Sequence, residues 1–178
     1  MSLGGLKSEI KYIFLNGLVN KIPCWRIREI LYKACGVSIG INSRILLGTR
    51  IMCPEKVKIG ANTIINENCV LDGRGGLRIG DNVSISIESM ILTGTHATNS
   101  EEYEGVQFPV EIGDNAWLCA RAIILPGSTI EDFSIIAAGA VFKGVASAKK
   151  IYGGVPAKEI GTRQINEKYV IRWSPLMR

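Results

Sequence analysis

Histidine is nearly absent from this chain: among its 178 residues there is one, His96. Since a three-histidine zinc centre needs three such ligands, we expect no metal site. The five cysteines are odd in number and include no C-x-x-C pair, so the pattern of a disulfide framework is also missing. They are typical of buried thiols in a reducing compartment.

Long apolar runs are lacking as well. No segment approaches the roughly 18 apolar residues that cross a bilayer. The first residues, Met1 to Gly5, do not show the basic start and apolar core of a signal peptide. Together with the cysteines, these absences predict a cytoplasmic protein, and the length predicts one domain.

The net charge of +5 is unevenly distributed. Residues 1–36 carry six Lys or Arg and two Glu, whereas residues 37–142 carry seven basic and twelve acidic residues. Residues 143–178 carry eight basic and two acidic residues. An acidic body between two basic ends predicts anionic partners at the ends rather than a nucleic-acid-binding surface.

A six-residue repeat dominates the middle of the chain. Large apolar residues recur six apart, and the residue four after each is small in nearly every case. This period fits neither a helix nor simple strand alternation, and it indicates short strands with a corner every six residues. The large positions are Ile39, Ile45, Ile51, Ile59, Ile65, Leu71, Ile79, Ile85, Ile91, Ile112, Leu118, Ile124, Ile130, Ile136 and Phe142. The small ones are Ser43, Thr49, Thr63, Cys69, Gly75, Ser89, Thr95, Ala116, Ala122, Ser128, Ser134 and Ala140, with Val83 the largest.

Corners and gaps in the repeat predict how the coil is built. Gly and Asn, which tolerate left-handed backbone, follow the first strand of several turns, as in Gly60-Ala61-Asn62. The repeats predict about five triangular turns in residues 37–142, between segments 1–36 and 143–178. All three gaps fall at one corner, and the longest extrudes a loop of about residues 94–110 with His96 at its root. Long loops on rigid scaffolds are more often functional than not.

The two ends of the chain are predicted to be helical and to cap the ends of the solenoid. Two short helices are predicted in residues 7–35, with one apolar face on each. A final helix is predicted over residues 159–173, where Ile165, Tyr169 and Trp173 are spaced by four. For the N-terminal segment two interpretations stay open: capping of the solenoid, and weak contact of a basic amphipathic segment with a membrane surface. The predicted apolar faces are Ile10, Ile13, Phe14 and Leu18 in the first helix, and Ile27, Ile30 and Leu31 in the second.

Four stretches between Ile59 and Lys158 match a known family: "LTGTH", "FPVEIGDNAWLCARAIILPGSTI", "IAAGAVFKGV" and "GGVPAKEI". They resemble the hexapeptide-repeat acetyltransferases, especially the sugar O-acetyltransferases of galactoside, maltose, nodulation-factor and capsule or colanic-acid type. The resemblance implies an all-β solenoid, a left-handed parallel β-helix, assembled as a homotrimer with sites between subunits. It also implies acetyl transfer from acetyl-CoA to a hydroxyl of a sugar or glycan precursor, in polysaccharide biosynthesis.

His96 falls at the position of the family's general base. The resemblance implies that it takes a proton from the acceptor hydroxyl while both substrates are bound. The chemistry of the residue agrees, because imidazole titrates near neutral pH and a hydroxyl attacks poorly until it loses its proton.

Three residues are implied on the acceptor side. Asn66 matches an asparagine of the galactoside enzyme's acceptor site. An acidic residue that contacts the sugar in that enzyme falls here at Arg74, with Asp72 close by. This departure argues against a galactoside as the acceptor.

Five residues are implied on the coenzyme A side. Trp117 matches a tryptophan beside the thiol end, and Ala120 and Ala138 match backbone contacts to the pantetheine arm. Lys143 and Lys158 are candidate contacts for the nucleotide phosphates, in keeping with the basic C-terminal segment.

The same fold also supports functions other than acetyl transfer to a sugar. One histidine cannot supply the zinc ligands of a gamma carbonic anhydrase. A non-catalytic scaffold or binding protein is the main alternative, and His96, Trp117 and "FPVEIGDNAW" argue against it. Within enzymes, amino-sugar or xenobiotic acetyltransferases remain alternatives.

Overall fold

The chain folds into a parallel β-helix with a helical cap, as seen in a computed structural model that describes residues 3–165 and 169–173. Two helices come first, α1 (Leu3–Gly17) and α2 (Trp25–Ala34).

Three parallel sheets then form the walls of the solenoid. The first sheet contains β1 (Ser38–Ile39), β4 (Val57–Ile59), β7 (Leu77–Ile79), β12 (Val110–Ile112), β15 (Thr129–Ile130) and β18 (Val145–Ala146). The second contains β2 (Arg44–Ile45), β5 (Ile64–Ile65), β8 (Ser84–Ile85), β13 (Trp117–Leu118), β16 (Ile135–Ile136), β19 (Lys150–Gly154) and β20 (Ala157–Thr162). The third contains β3 (Arg50–Met52), β6 (Val70–Asp72), β9 (Met90–Ile91), β14 (Ile123–Ile124) and β17 (Val141–Phe142).

Five complete turns are present, and β18 and β19 begin a sixth. The loop is a separate antiparallel hairpin of β10 (Gly94–His96) and β11 (Gly105–Gln107), inserted between β9 and β12. The predicted solenoid with its extruded loop is therefore confirmed. No helix in the described part of the chain is long and apolar enough to cross a membrane.

The six-residue repeat forms the core. All fifteen large positions are buried. Most of the small positions four residues later are buried too, and their hydroxyls bond backbone carbonyls, either of the next turn or, for Ser128 and Ser134, of their own turn. Thr63 Oγ1 donates to Gly80 O at 2.8 Å, and Ser89 Oγ donates to Cys119 O at 3.0 Å. A buried hydroxyl is tolerated only with such a partner. Thr95 is the exception and lies exposed, because the chain leaves the coil there to form the hairpin.

The corners take the backbone that the sequence predicts. Asn42, Asn62, Asn82 and Asn115 have φ between 53° and 60°, the left-handed region in which asparagine is favoured among non-glycine residues. Each of these asparagines lies at the start of the corner that joins the first sheet to the second, so the strands of successive coils stack on one another.

The helical cap covers the first turn with an inner side that is both apolar and polar: Leu15, Val19, Trp25 and Tyr32 are buried in the core, and polar groups beside them bond the backbone. Asn16 bonds both backbone groups of Ile51: its Oδ1 accepts from the N–H at 2.8 Å and its Nδ2 donates to the carbonyl at 2.9 Å. Arg28 Nη2 donates to Ile45 O at 3.1 Å, and the carbonyl of Asn20 accepts from Gly48 N at 2.9 Å. Capping is thus confirmed. The predicted apolar faces point outward, because the open end of a parallel sheet needs polar partners.

The predicted C-terminal helix over 159–173 is wrong. Residues 157–162 form β20, which pairs antiparallel with β19 and covers the open edge of the second sheet. The turn between them is set by Gly153-Gly154-Val155-Pro156, in which Gly154 has φ 96°. Residues 163–165 and 169–173 are not helical, and residues 166–168 lie outside the described part. Tyr169 instead lies against the solenoid, where its hydroxyl donates to Asn115 O at 3.2 Å.

Candidate active site

His96 lies exposed at the end of β10, on the hairpin that projects from the solenoid. In the hairpin His96 is paired with Gly105, and the amide of Ala97 donates to Glu104 O at 2.8 Å. The sequence therefore places its one histidine on a short, hydrogen-bonded ribbon rather than on a loose loop.

Tyr103 fixes the orientation of His96 in two ways. Its carbonyl oxygen lies 2.9 Å from His96 Nδ1. Its ring stacks on the imidazole, with centroids 3.8 Å apart and planes 13° from parallel. Since a carbonyl oxygen can only accept, Nδ1 must carry the proton of this bond. In a neutral imidazole that leaves Nε2 free to accept a proton, as a general base requires.

The root of the hairpin is held by Asp72, at the end of β6. Its carboxylate is fully buried and accepts the backbone N–H groups of Thr93 and Gly94, at 3.0 and 3.1 Å. The hydroxyl of Thr93 donates to the Asp72 carbonyl at 2.9 Å. These bonds fix the two residues that lead into β10, and so they fix where His96 leaves the solenoid.

Arg74 completes the clamp. Its Nε and Nη2 donate to the two oxygens of Asp72 at 3.0 and 2.9 Å. Burial raises the pKa of Asp72, but the hydrogen bonds from Arg74 and Thr93 outweigh it, so the pKa of this carboxyl lies below its ordinary value. A side chain at Gly94 would meet the guanidinium, since a Cβ built there lies 2.7 Å from Arg74 Cζ. A side chain at residue 94 would therefore displace the guanidinium from its place beside Asp72.

An apolar groove of about 400 Å³ adjoins Arg74. The solenoid contributes Met52 and Cys53 to it, and α1 contributes Tyr12 and Ile13. The groove therefore connects the cap with the corner that carries the hairpin.

Trp117 lies on the second sheet, away from this corner. Its ring is 40% exposed, and its Nε1 donates to Ser86 Oγ at 3.1 Å. Asn66 follows β5 on the same side, with its Nδ2 donating to Ile85 O at 3.0 Å. Asn66 and Ser86 line one groove of about 310 Å³, together with Trp173 from the tail.

The remaining predicted residues divide between the same two places. Ala120 and Ala138 follow β13 and β16, at the corner that also holds Asn66, and their small side chains leave its surface open. Lys143 follows β17 at the corner of Asp72 and is exposed. Lys158 lies exposed on β20, paired with Gly153 at the edge of the second sheet.

Within one chain the predicted residues thus form two groups at two different corners. His96, Asp72, Arg74 and Lys143 lie where the third sheet turns into the first. Asn66, Trp117, Ala120 and Ala138 lie on the second sheet or where it turns into the third. One chain alone does not bring the two groups together.

Two contributors were missed by sequence reasoning. Tyr103 could have been noticed as an aromatic residue seven positions after the histidine, inside the extruded loop. Its carbonyl, which makes the bond to Nδ1, leaves no signal in a sequence. The sequence also gives no sign that Ser86 is the hydrogen-bond partner of Trp117, because the two residues meet only when the strands are in register.

The solenoid and its histidine hairpin define a class, the hexapeptide-repeat parallel β-helix proteins, and comparisons with known proteins agree. The profile of the family described as bacterial transferase hexapeptide (six repeats) matches residues 109–144. The chain is 30% identical over 144 residues to the galactoside O-acetyltransferase of Escherichia coli K12, covering 79% of this chain and 70% of that protein. It is 31% identical over 140 residues to WcaF of the same organism, named as an acetyltransferase of colanic acid biosynthesis, covering 78% and 76%.

A solved structure has the same fold. A hexapeptide-repeat acetyltransferase of Vibrio cholerae, in complex with acetyl coenzyme A, superposes with a TM-score of 0.82 over 92% of this chain and 91% of that one, at 22% identity. The chain therefore belongs to the hexapeptide-repeat acetyltransferases, enzymes of the acyltransferase class.

Proposed function

We propose that this protein transfers an acetyl group from acetyl-CoA to a hydroxyl of a sugar or glycan precursor, with His96 as the general base. The observation that carries the proposal is the bond from Nδ1 of His96 to the carbonyl of Tyr103, which leaves Nε2 to receive a proton. Support for the substrates comes from two sugar-pathway relatives and from the acetyl-CoA complex of the Vibrio protein.

The reaction proceeds by direct attack with both substrates bound. Nε2 removes the proton of the acceptor hydroxyl as its oxygen attacks the thioester carbonyl, forming a tetrahedral intermediate. The C–S bond then breaks, the acetyl group remains on the acceptor oxygen, and the imidazolium returns its proton to the thiolate of coenzyme A. Holding both reactants in place supplies much of the rate, and the proton transfer contributes about 10²–10⁴-fold.

Acetyl-CoA is proposed to lie along the corner of Ala120 and Ala138. Trp117 would contact its thiol end, and its phosphates would be contacted by Lys158 and by Lys143, the latter from the His96 corner of a neighbouring protomer. Small side chains on successive turns leave room for the thin pantetheine arm, and the exposed lysines supply positive charge for an anionic nucleotide. Asn66, at the same corner, is proposed to bind the acceptor.

A homotrimer is proposed to complete each site. His96 and the acetyl-CoA corner lie apart in one chain, so a neighbouring protomer has to supply the missing group. Closed symmetric rings of identical subunits produce identical interfaces, each with one site. The free thiols support a reducing, cytoplasmic setting.

Mixed oligomers test the mechanism and the assembly together. His96→Ala removes the base, and Ala138→Trp blocks the acetyl-CoA corner; each alone is expected to abolish thiol release with sugar acceptors. Co-refolded one to one, the two variants should regain about one quarter of wild-type activity if each site draws on two chains. Absence of any recovery, with mixed oligomers verified by mass, would refute a shared site.

A scaffold role predicts a different result. A scaffold should show no thermal shift on adding acetyl-CoA, whereas the enzyme should be stabilised, as any protein is by a ligand that binds only its folded state. Preference for an amine over a hydroxyl acceptor would favour an N-acetyltransferase instead.

A further inference from the structure

The outward side of the cap carries an unusual density of apolar side chains. In the described part of the chain, eighteen large apolar side chains are exposed, and seven of them lie between residues 10 and 30. Ile13 is 67% exposed and Ile30 is 68% exposed. We call these seven residues the cap face; they are Ile10, Tyr12, Ile13, Phe14, Leu18, Ile27 and Ile30.

The cap face cannot turn inward. Asn16 and Arg28 on the opposite sides of the helices bond the backbone of the first turn, and the carbonyl of Asn20 does the same between them. Trp25 and Tyr32 are buried beside them. Rotating either helix to bury the isoleucines would strip these partners from the open edge of the solenoid. The exposure is therefore built into the fold.

Positive charge flanks the cap face. Lys21, between the helices, and Arg26, on α2, are exposed and have no ion-pair partner among the described residues. Glu29 is engaged by Lys33 at 2.7 Å. Segment 1–36 as a whole carries six basic and two acidic residues. An apolar surface edged by unpaired cations matches a surface that offers both hydrocarbon and negative charge.

A second copy of the chain bound by two-fold symmetry is a poorer occupant, because it would place this patch against itself and bring Lys21 and Arg26 of both copies together. The repulsion would be concentrated where the apolar contact is made. A bilayer surface has no such conflict, because its anionic headgroups accept the cations while the isoleucines enter the interface. In the three-fold ring proposed above, the cap face would meet a different surface of its neighbour rather than itself, and the oligomer mass of Ile13→Asn/Ile30→Asn tests that contact.

We propose that the cap face docks on an anionic lipid bilayer, with α1 and α2 lying in the headgroup region. The proposal is independent of the acyl transfer. It has one consequence for the site: Tyr12 and Ile13 belong both to the cap face and to the groove beside Arg74. Docking would therefore make that groove face the membrane surface.

Vesicle flotation of the full chain tests the proposal. We expect the wild type to float with phosphatidylcholine vesicles containing phosphatidylglycerol, and to float weakly with phosphatidylcholine alone or at high salt. Ile13→Asn/Ile30→Asn and Lys21→Glu/Arg26→Glu should each lower the apparent affinity about tenfold or more. Far-UV circular dichroism and an unchanged melting temperature confirm that the variants are folded.

Matched controls lie elsewhere on the molecule. Ile160→Asn changes an isoleucine that is 64% exposed on β20, at the other end of the solenoid. Lys58→Glu/Arg78→Glu makes the same charge change on the first sheet. Both should float like wild type. No flotation of wild type, or equal losses in the controls, overturns the proposal. So does a change in oligomer mass in Ile13→Asn/Ile30→Asn without vesicle binding, because it would assign the cap face to a second copy.

Discussion

The carbonyl oxygen of Tyr103 lies 2.9 Å from Nδ1 of His96, and the ring of the same tyrosine stacks on the imidazole at 3.8 Å. One residue thus sets both the tautomer and the plane of the only histidine in the chain.

Removing the imidazole should stop the chemistry and leave the fold intact. His96→Ala is expected to lower kcat by about two to four powers of ten, with the melting temperature unchanged, because the side chain is exposed and makes no core contact. Thr95→Ala, on the same strand and equally exposed, serves as the matched control. Turnover of His96→Ala within a few-fold of wild type would remove His96 from the mechanism.

The stacking of Tyr103 should matter more than its hydroxyl. Tyr103→Phe keeps the ring and the carbonyl, so we expect wild-type kcat. Tyr103→Ala keeps only the carbonyl and should lower kcat up to about tenfold, since aromatic stacking contributes about 0.5–1.5 kcal/mol. The KM for acetyl-CoA should stay constant in both variants. If Tyr103→Ala raises that KM at unchanged kcat, the positioning role is wrong.

Asp72 should carry a large share of the local stability. Asp72→Ala leaves the N–H groups of Thr93 and Gly94 without an acceptor and Arg74 without a partner. Because the Arg74 side chain is 45% exposed and water can solvate it, we expect a loss of about 2–3 kcal/mol in the free energy of unfolding by urea.

Asp114→Ala is the control for this measurement. Its carboxylate accepts one exposed N–H, that of Asp81, and its loss should cost less than about 1 kcal/mol. A similar loss of unfolding free energy in both variants would mean that the bonds of Asp72 at the hairpin root contribute no more to stability than an exposed hydrogen bond.

The same clamp predicts a dependence on pH. Folding lowers the pKa of Asp72, so its stabilising contribution is complete above the unfolded value of about 4 and disappears as the pH falls through the folded value. The stability difference between wild type and Asp72→Ala should be constant near neutral pH and shrink in acid below about pH 4. A difference that grows in acid would contradict the assigned hydrogen bonds.

Trp117 should act on binding rather than on turnover. Trp117→Ala is expected to weaken acetyl-CoA binding about tenfold, measured by calorimetry, because it removes a large, partly exposed aromatic surface. Trp117→Phe should lose less, since it keeps a ring and gives up only the bond to Ser86. Val145→Ala, an exposed apolar residue on the first sheet, should bind normally. Equal affinities in all three variants would place the acyl donor elsewhere.

The repetitive part of the fold was open to prediction from the sequence because its signal is periodic. Ile39, Ile85 and Ile136 are large positions of the six-residue repeat, which resumes after each gap, and such a residue is buried wherever the coil continues. The position of the hairpin followed from the place where the series breaks.

Other features depend on contacts that leave no periodic trace. The isoleucines of the cap have helical spacing, yet the inner side is formed by Leu15 and Trp25 together with Asn16 and Arg28, because the solenoid edge needs hydrogen bonds as well as apolar cover. Residues 159–173 have helical spacing too, but β20 pairs with the open edge of β19 instead. In the candidate site His96 was found from its motif, whereas the partner that orients it is a backbone atom.

The hairpin contains both the imidazole and the oxygen that holds its proton. Any tilt of β10 and β11 against the solenoid would carry the two atoms as one unit. The tautomer of the base is therefore uncoupled from the position of the base. A substrate could displace the arm that presents His96 without resetting the chemistry that the arm delivers.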